Sequence, residues 1–132
     1  MRRGLDPDEH TVLDGGFDPE QAVVALERHL ESAAEFDCIA SADYLMALAV
    51  LPALAAAGRA DVPVAGFGDG PEAEAAGLTT VAADVVELGR RAARQLLGQL
   101  PGGEPARRLS GRTLLATQLV RRDWDARGKV IV

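Results

Sequence analysis

The stretch Phe36–Gly70, FDCIASADYLMALAVLPALAAAGRADVPVAGFGDG, decides the fold. Cys38, Ile39 and Ala40 form a short apolar run that stops at Ser41-Ala42-Asp43. A Leu/Ala-rich segment of helical length follows and ends at Gly58. Val62–Phe67 is a second apolar run, closed by Gly68-Asp69-Gly70. Two apolar strands joined by a helix make a right-handed βαβ crossover with parallel strands. Strands buried on both faces read as continuous apolar runs rather than as alternation. The tips Ser41–Asp43 and Gly68–Gly70 then share the carboxyl edge of the sheet, which in open α/β sheets is the ligand-binding edge.

The chain has 132 residues, enough for one ordinary domain. It is 48% hydrophobic and 26% charged, a globular balance rather than a disordered one. Aromatics make up only 4%, so Leu, Val and Ala must build the core. A net charge of −6 argues against a nucleic-acid surface, which needs a basic face to neutralise phosphates. The one cysteine, Cys38, lies in a predicted strand and is expected to be a core residue in a reducing compartment. The apolar run Leu45–Ala57 is too short to span a bilayer and contains Pro52. Met1-Arg2-Arg3 leads into a polar run rather than an apolar signal core, so no signal peptide and a cytoplasmic location are expected.

Upstream, Thr11-Val12-Leu13 is a strand candidate. Asp18, Pro19 and Gln21 spell a helix start, with the helix predicted to run to about Ala33. Ala22, Val23, Leu26, Leu30 and Ala33 make its apolar face, and His29 lies at that face's edge. The helix Asp43–Ala57 is apolar nearly all round, so it needs cover on more than one side, and a subunit interface is one source of it. Pro52 predicts a kink or break near Leu48–Leu51. Pro71–Ala76 has room for one helical turn, and Leu78–Ala82 reads as a strand. Asp84 and Glu87 form a second capping box before a helix running to about Leu100. Val85, Leu88, Ala92 and Leu96 line one side of it, with Arg90, Arg91 and Arg94 on a solvated opposite side. Arg107–Leu109 and Arg112–Arg122 read as strands.

Few of these residues spell out chemistry. Gly66-Phe67-Gly68-Asp69-Gly70 follows a strand, but Pro71 stands where a dinucleotide fingerprint continues and only a short helix comes after. Ser41 has no G-x-S-x-G elbow around it, and Cys38 sits inside its strand rather than at the tip. His10 and His29 lack metal-ligand spacing, so neither a metal nor another cofactor is expected. Asp43 and Asp69 are two carboxylates at one sheet edge, a placement suited to holding a polar ligand or capping a helix.

Gly15–Asp18, Phe36–Ala57, Val62–Asp69 and Leu78–Leu97 together resemble the C-terminal half of the effector-binding module of lactose-repressor-type (LacI/GalR) transcription regulators. Gly15-Gly16-Phe17-Asp18 is similar to the family's Gly-Asp-aromatic-Ser element. Phe36–Ala57 is similar to its A-N-D-x-M-A-L-G-A-L block, VPVAGFGD (62–69) to V-x-V-V-G-F-D-D, and LTTVAADVVELGRRAARQLL (78–97) to L-T-T-V-x-Q-P…E-L-G-R. The likeness runs from about Gly4 to Arg122. It implies a type I periplasmic-binding-protein-like α/β fold over residues 1–122, a parallel sheet flanked by helices. That fold would be incomplete: mainly the C-terminal subdomain plus one helix, Val85–Leu100, of the other subdomain, with residues 123–132 as a tail.

The resemblance further implies a sensor for a small polar effector, a sugar or nucleoside. Phe17 would stack on it. Asp43 and Tyr44 would hydrogen-bond it, with Asp43 standing on the family's Asn or on its Asp depending on the direction of alignment. Asp69 would bind hydroxyls, while Gly68 and Ala83 replace two further polar positions. Leu45, Leu48, Ala49 and Pro71 lie where the family dimerises, so a homodimer or pairing with a full-length relative is implied. No helix-turn-helix headpiece is expected in this chain, hence no direct nucleic-acid contact; the resemblance to a sensor also implies no membrane contact and no enzymatic activity. The reading that follows is a truncated regulator with half a cleft. An interaction module that keeps only the dimer surface is the alternative, and a small α/β enzyme is a third reading.

Overall fold

A computed structural model describes residues 11–32, 35–100 and 114–122. The elements run α1 (Pro19–Glu31), β1 (Ile39–Ser41), α2 (Tyr44–Ala56), β2 (Val64–Phe67), α3 (Pro71–Ala75), β3 (Thr79–Ala83), α4 (Val85–Leu97) and β4 (Thr117–Val120). The strands form one sheet in the order β1-β2-β3-β4. β1, β2 and β3 are parallel, with Ser41 opposite Gly66 and Gly66 opposite Thr80. β4 closes the sheet antiparallel to β3, with Val120 opposite Thr80. The βαβ reading of residues 36–70 therefore holds, and α3 supplies a second, shorter crossover.

The helices begin where their caps direct. Asp18 accepts from the Gln21 N–H, Asp43 from those of Leu45 and Met46, and Asp84 from that of Glu87. α2 lies on one face of the sheet, and its Ala47, Val50 and Leu54 are buried with Val64, Leu78 and Ala73. α1 lies on α2 and contributes Leu26 to the same core. Burying a leucine as fully as Leu26, Leu54 and Leu78 contributes about 1.5–3 kcal/mol each. At the far end, Arg59 stacks on the Phe36 ring 4.5 Å from its centroid and donates to the Phe36 carbonyl at 2.9 Å. His29, half-buried, tilts against the same ring.

Several expectations are corrected. Thr11–Leu13 is not a strand: it pairs with no neighbour among the described residues, and Val12 is 80% exposed. Strand propensity without a ladder does not hold three residues extended. Cys38 is exposed rather than core. It shares its parity with the exposed Ala40, on the sheet face away from α2, whereas Ile39 and Ser41 turn inward. α2 is not broken near Leu48–Leu51 but continues through Pro52, whose ring lies on the exposed side. α1 supplies cover for α2 within the chain itself, where the sequence alone offers a subunit interface as one source. α1 ends at Glu31 and α4 at Leu97, both short of prediction. The final strand covers only Thr117–Val120; Arg107–Leu109 and the start of the Arg112–Arg122 run lie outside the described residues.

α4 differs from the other long helices because it buries no residue. Leu88 and Leu96 on its apolar side are 51% and 65% exposed among the described residues. On its polar side Glu87 pairs with Arg90 and Arg91 at 2.9 and 2.8 Å. Those arginines, Arg91 first, hold the Glu87 carboxyl below its ordinary value.

Candidate functional site

β1 and β2 are parallel and in register, so the turns leaving Ser41 and Phe67 open at one end of the sheet. Asp43 and Asp69 stand in those turns. The Asp43 carboxylate oxygen Oδ1 accepts from the backbone N–H groups of Leu45 at 2.8 Å and Met46 at 3.3 Å. It is the N-cap of α2, where a carboxylate satisfies otherwise unpaired donors. Ser41 Oγ donates to the Asp43 carbonyl at 2.8 Å and ties the turn across its neck.

The second turn has a different construction. Gly68 adopts φ +82° and donates to the Val81 carbonyl, after which the chain folds back over the α2 side of the sheet. Asp69 thereby comes over β3. Thr80, fully buried, donates to its Oδ1 at 2.8 Å. Arg122, just beyond β4, grips it in a two-pronged pair, Nη1 to Oδ1 at 2.6 Å and Nη2 to Oδ2 at 2.8 Å. Arg122 also donates to the Leu78 carbonyl at 3.0 Å. These bonds, Arg122 foremost, lower the Asp69 pKa to about 2.

The glycines of this turn make room for an aromatic ring. A Cβ on Gly66 would stand 2.8 Å from the Tyr44 backbone, one on Gly68 3.2 Å from its ring, and one on Gly70 2.7 Å from its hydroxyl. Tyr44, the first residue of α2, thus lies in a trough that Gly66, Gly68 and Gly70 leave bare. Its hydroxyl donates to Glu72 at 3.4 Å, and burial, aided by Glu72, raises the phenol pKa above its ordinary value.

Phe17 enters from the side. Gly16 and Phe17 have φ +57° and +53°, and Asp18 donates back to the Gly15 carbonyl at 2.9 Å, which closes a tight turn. A left-handed phenylalanine carries about 1–2 kcal/mol of strain. Its side chain is nonetheless 78% exposed. The turn sits beside the start of α2: a Cβ on Gly15 would come within 3.2 Å of Met46 Sδ.

Of the four residues singled out from sequence, Asp43, Tyr44 and Asp69 are brought together around the β1 and β2 turns, and Phe17 lies on a turn packed against the first turn of α2. Sequence reasoning missed Arg122 and Thr80. The one available signal was an arginine placed two residues after Val120, on the inward parity of a strand, where a charge requires a partner. Leu45 and Pro71 are exposed, and Leu48 and Ala49 half-buried. Among the described residues no group of three or more His, Cys, Asp or Glu is arranged to hold a metal, and no helix is long and apolar enough to cross a membrane.

A family model described as periplasmic binding protein-like domain matches residues 2–123. Among curated proteins, the HTH-type transcriptional regulator CelR of Thermobifida fusca is 35% identical over 114 residues, covering 81% of this chain and 34% of that regulator. The chain spans about a third of the length of the curated relative it matches. No solved structure gives a significant match.

Proposed function

Because this chain belongs to the periplasmic binding protein-like domain family, in the form that lactose-repressor-type regulators use to sense effectors, we propose that it is an effector-sensing domain for a small polar ligand, a sugar or nucleoside. The observation that carries the reading is the shared edge. Two parallel strands in register present the Asp43–Tyr44 and Gly68–Gly70 turns at one end, and a strained, exposed Phe17 stands on the neighbouring turn. Strain of this kind persists where the surroundings enforce it, and such positions cluster at ligand clamps. Phe17 supplies a face for stacking on a ring. Asp43 Oδ2, free of the cap bonds made by Oδ1, and the Tyr44 hydroxyl supply hydrogen bonds.

Asp69 contributes indirectly: with both carboxylate oxygens engaged by Arg122 and Thr80, it anchors the turn rather than reaching for ligand hydroxyls. The domain acts by binding, not catalysis, with neither cofactor nor metal, in the cytoplasm. In a whole regulator the bare stripe of α4 would meet the other subdomain and complete the cleft. Calorimetry against D-glucose, D-ribose, a disaccharide series and adenosine tests the reading. The expected result is a dissociation constant of about a millimolar for one class, weakened severalfold by Phe17→Ala. Binding that Phe17→Ala leaves unchanged, or none across the panel, would refute it.

A second reading, an interaction module, is favoured by the exposed side chains of Leu45 and Pro71 on neighbouring helices. With Leu48 and Ala49 they would form a pairing surface for a second copy or a longer relative. Sedimentation across a concentration series distinguishes a dimer that Leu45→Glu dissolves from a strict monomer.

A further inference from the structure

We infer that Arg122 is a positioning residue of the ligand wall: by gripping Asp69 it holds the Gly66–Gly70 trough against Tyr44. The inference rests on the reading of this edge as the ligand wall. Three glycines in five residues leave this turn with little stiffness of its own. Its last bond to the sheet is Gly68 N–H to the Val81 carbonyl, and its first bond into α3 is Glu74 N–H to the Gly70 carbonyl. Between them the anchor is the Asp69 side chain.

Thr80 donates to one of its oxygens, and the residue that grips both comes from 53 residues away. The guanidinium of Arg122 meets the carboxylate with two parallel bonds, a geometry that lysine does not reproduce. Arg122 is itself seated. Its Nη1 reaches the Leu78 carbonyl, its backbone N–H donates to Thr79 Oγ1 at 3.2 Å, and its side chain is only 15% exposed. A continuous set of contacts therefore runs from β4 through Arg122 and Asp69 to the glycine trough, and on to the Tyr44 ring at the head of α2. The end of β4 thus determines where the wall of the site stands.

Amide hydrogen exchange on the wild type, Arg122→Lys, Arg122→Met, Asp69→Asn and the Asp69→Asn/Arg122→Met double variant tests this. Arg122→Met is expected to speed exchange at Gly68 and Gly70 by about tenfold while leaving Ala47 and Val50 unchanged. Arg122→Lys should recover only part of the protection, and the double variant should lose no more than the worse single one. In a pH titration followed at the Gly70 amide, the wild-type midpoint near 2 should rise in Arg122→Met toward the ordinary carboxylate value. Unchanged rates at Gly68 and Gly70, a uniform rise along the sheet, or a lysine variant matching the wild type would overturn the inference. Failure of the ligand reading itself would appear separately, as a calorimetric blank in the wild type.

Discussion

Gly66→Ala is the substitution whose outcome the geometry specifies most closely. The added Cβ would stand 2.8 Å from Tyr44 Cα, 3.1 Å from Tyr44 Cβ and 3.3 Å from Ala47 Cβ. All three are Cα or Cβ atoms of α2, so no flexible side-chain end is there to give way. Reaching an ordinary 3.4 Å contact requires α2 to retreat by about 0.6 Å, and α2 carries Ala47, Val50 and Leu54 into the core. Overpacking of this kind costs about 1–3 kcal/mol, offset by about 0.5–1 kcal/mol because alanine loses less backbone entropy than glycine on folding. The net expectation is about 1–2 kcal/mol of destabilisation.

Two other glycines serve as controls. Gly58 has φ +71° with nothing within 4 Å of its Cβ position, so Gly58→Ala reports strain alone, about 1 kcal/mol. Gly89 lies inside α4 in open space, so Gly89→Ala should stabilise by about 0.5–1 kcal/mol. Urea denaturation followed by circular dichroism measures all three. A Gly66→Ala protein as stable as the wild type would refute the close seating of Tyr44 on β2.

Other expectations follow from the same geometry. Asp69 is held at about 2, below its ordinary 3.8, so its pair with Arg122 stabilises the fold fully above about pH 4, and that stability fades as pH falls toward 2. After discounting for partial exposure this amounts to about 1 kcal/mol, and Asp69→Asn should flatten the stability profile over that range in urea titrations at stepped pH. Phe17→Gly should leave the midpoint unchanged or raise stability by up to about 1 kcal/mol, since it relieves a left-handed residue that buries little, while ligand heat in calorimetry falls. Leu88→Gln and Leu96→Gln should each alter unfolding free energy by less than about 0.5 kcal/mol, whereas Leu26→Ala should cost about 2–5 kcal/mol, because α4 buries nothing and Leu26 is 2% exposed.

The features legible in the sequence were those written in neighbouring residues. Asp18 and Asp84 cap the helices they were expected to cap, and the apolar run–helix–apolar run pattern of residues 36–70 gave the parallel crossover. The failures required knowledge of distant partners. The position of Cys38 depended on which sheet face has helices over it, and an apolar strand looks alike on either side. Thr11–Leu13 has strand propensity but no ladder among the described residues. Gly66-Phe67-Gly68-Asp69-Gly70 does not complete a dinucleotide fingerprint, and what its glycines do instead, accommodating a ring from 22 residues before Gly66, needs the fold to be seen. Glycines at a period of two were the available sign of a bare strand face. The Asp69–Arg122 pair had no local sign at Asp69, and it engages both oxygens of a carboxylate that the sequence alone leaves free to meet a ligand.

The decisive measurement is a map of backbone amide shifts as the tightest-binding sugar or nucleoside is added to the isotopically labelled chain. Perturbations gathered at Phe17, Asp43–Tyr44 and Gly68–Gly70, with α4 and the Arg59 corner silent, are the predicted result. Shifts centred on Glu74, Gly77 and Arg121, or scattered without a focus, would contradict the assignment of a recognition surface to the ends of β1 and β2.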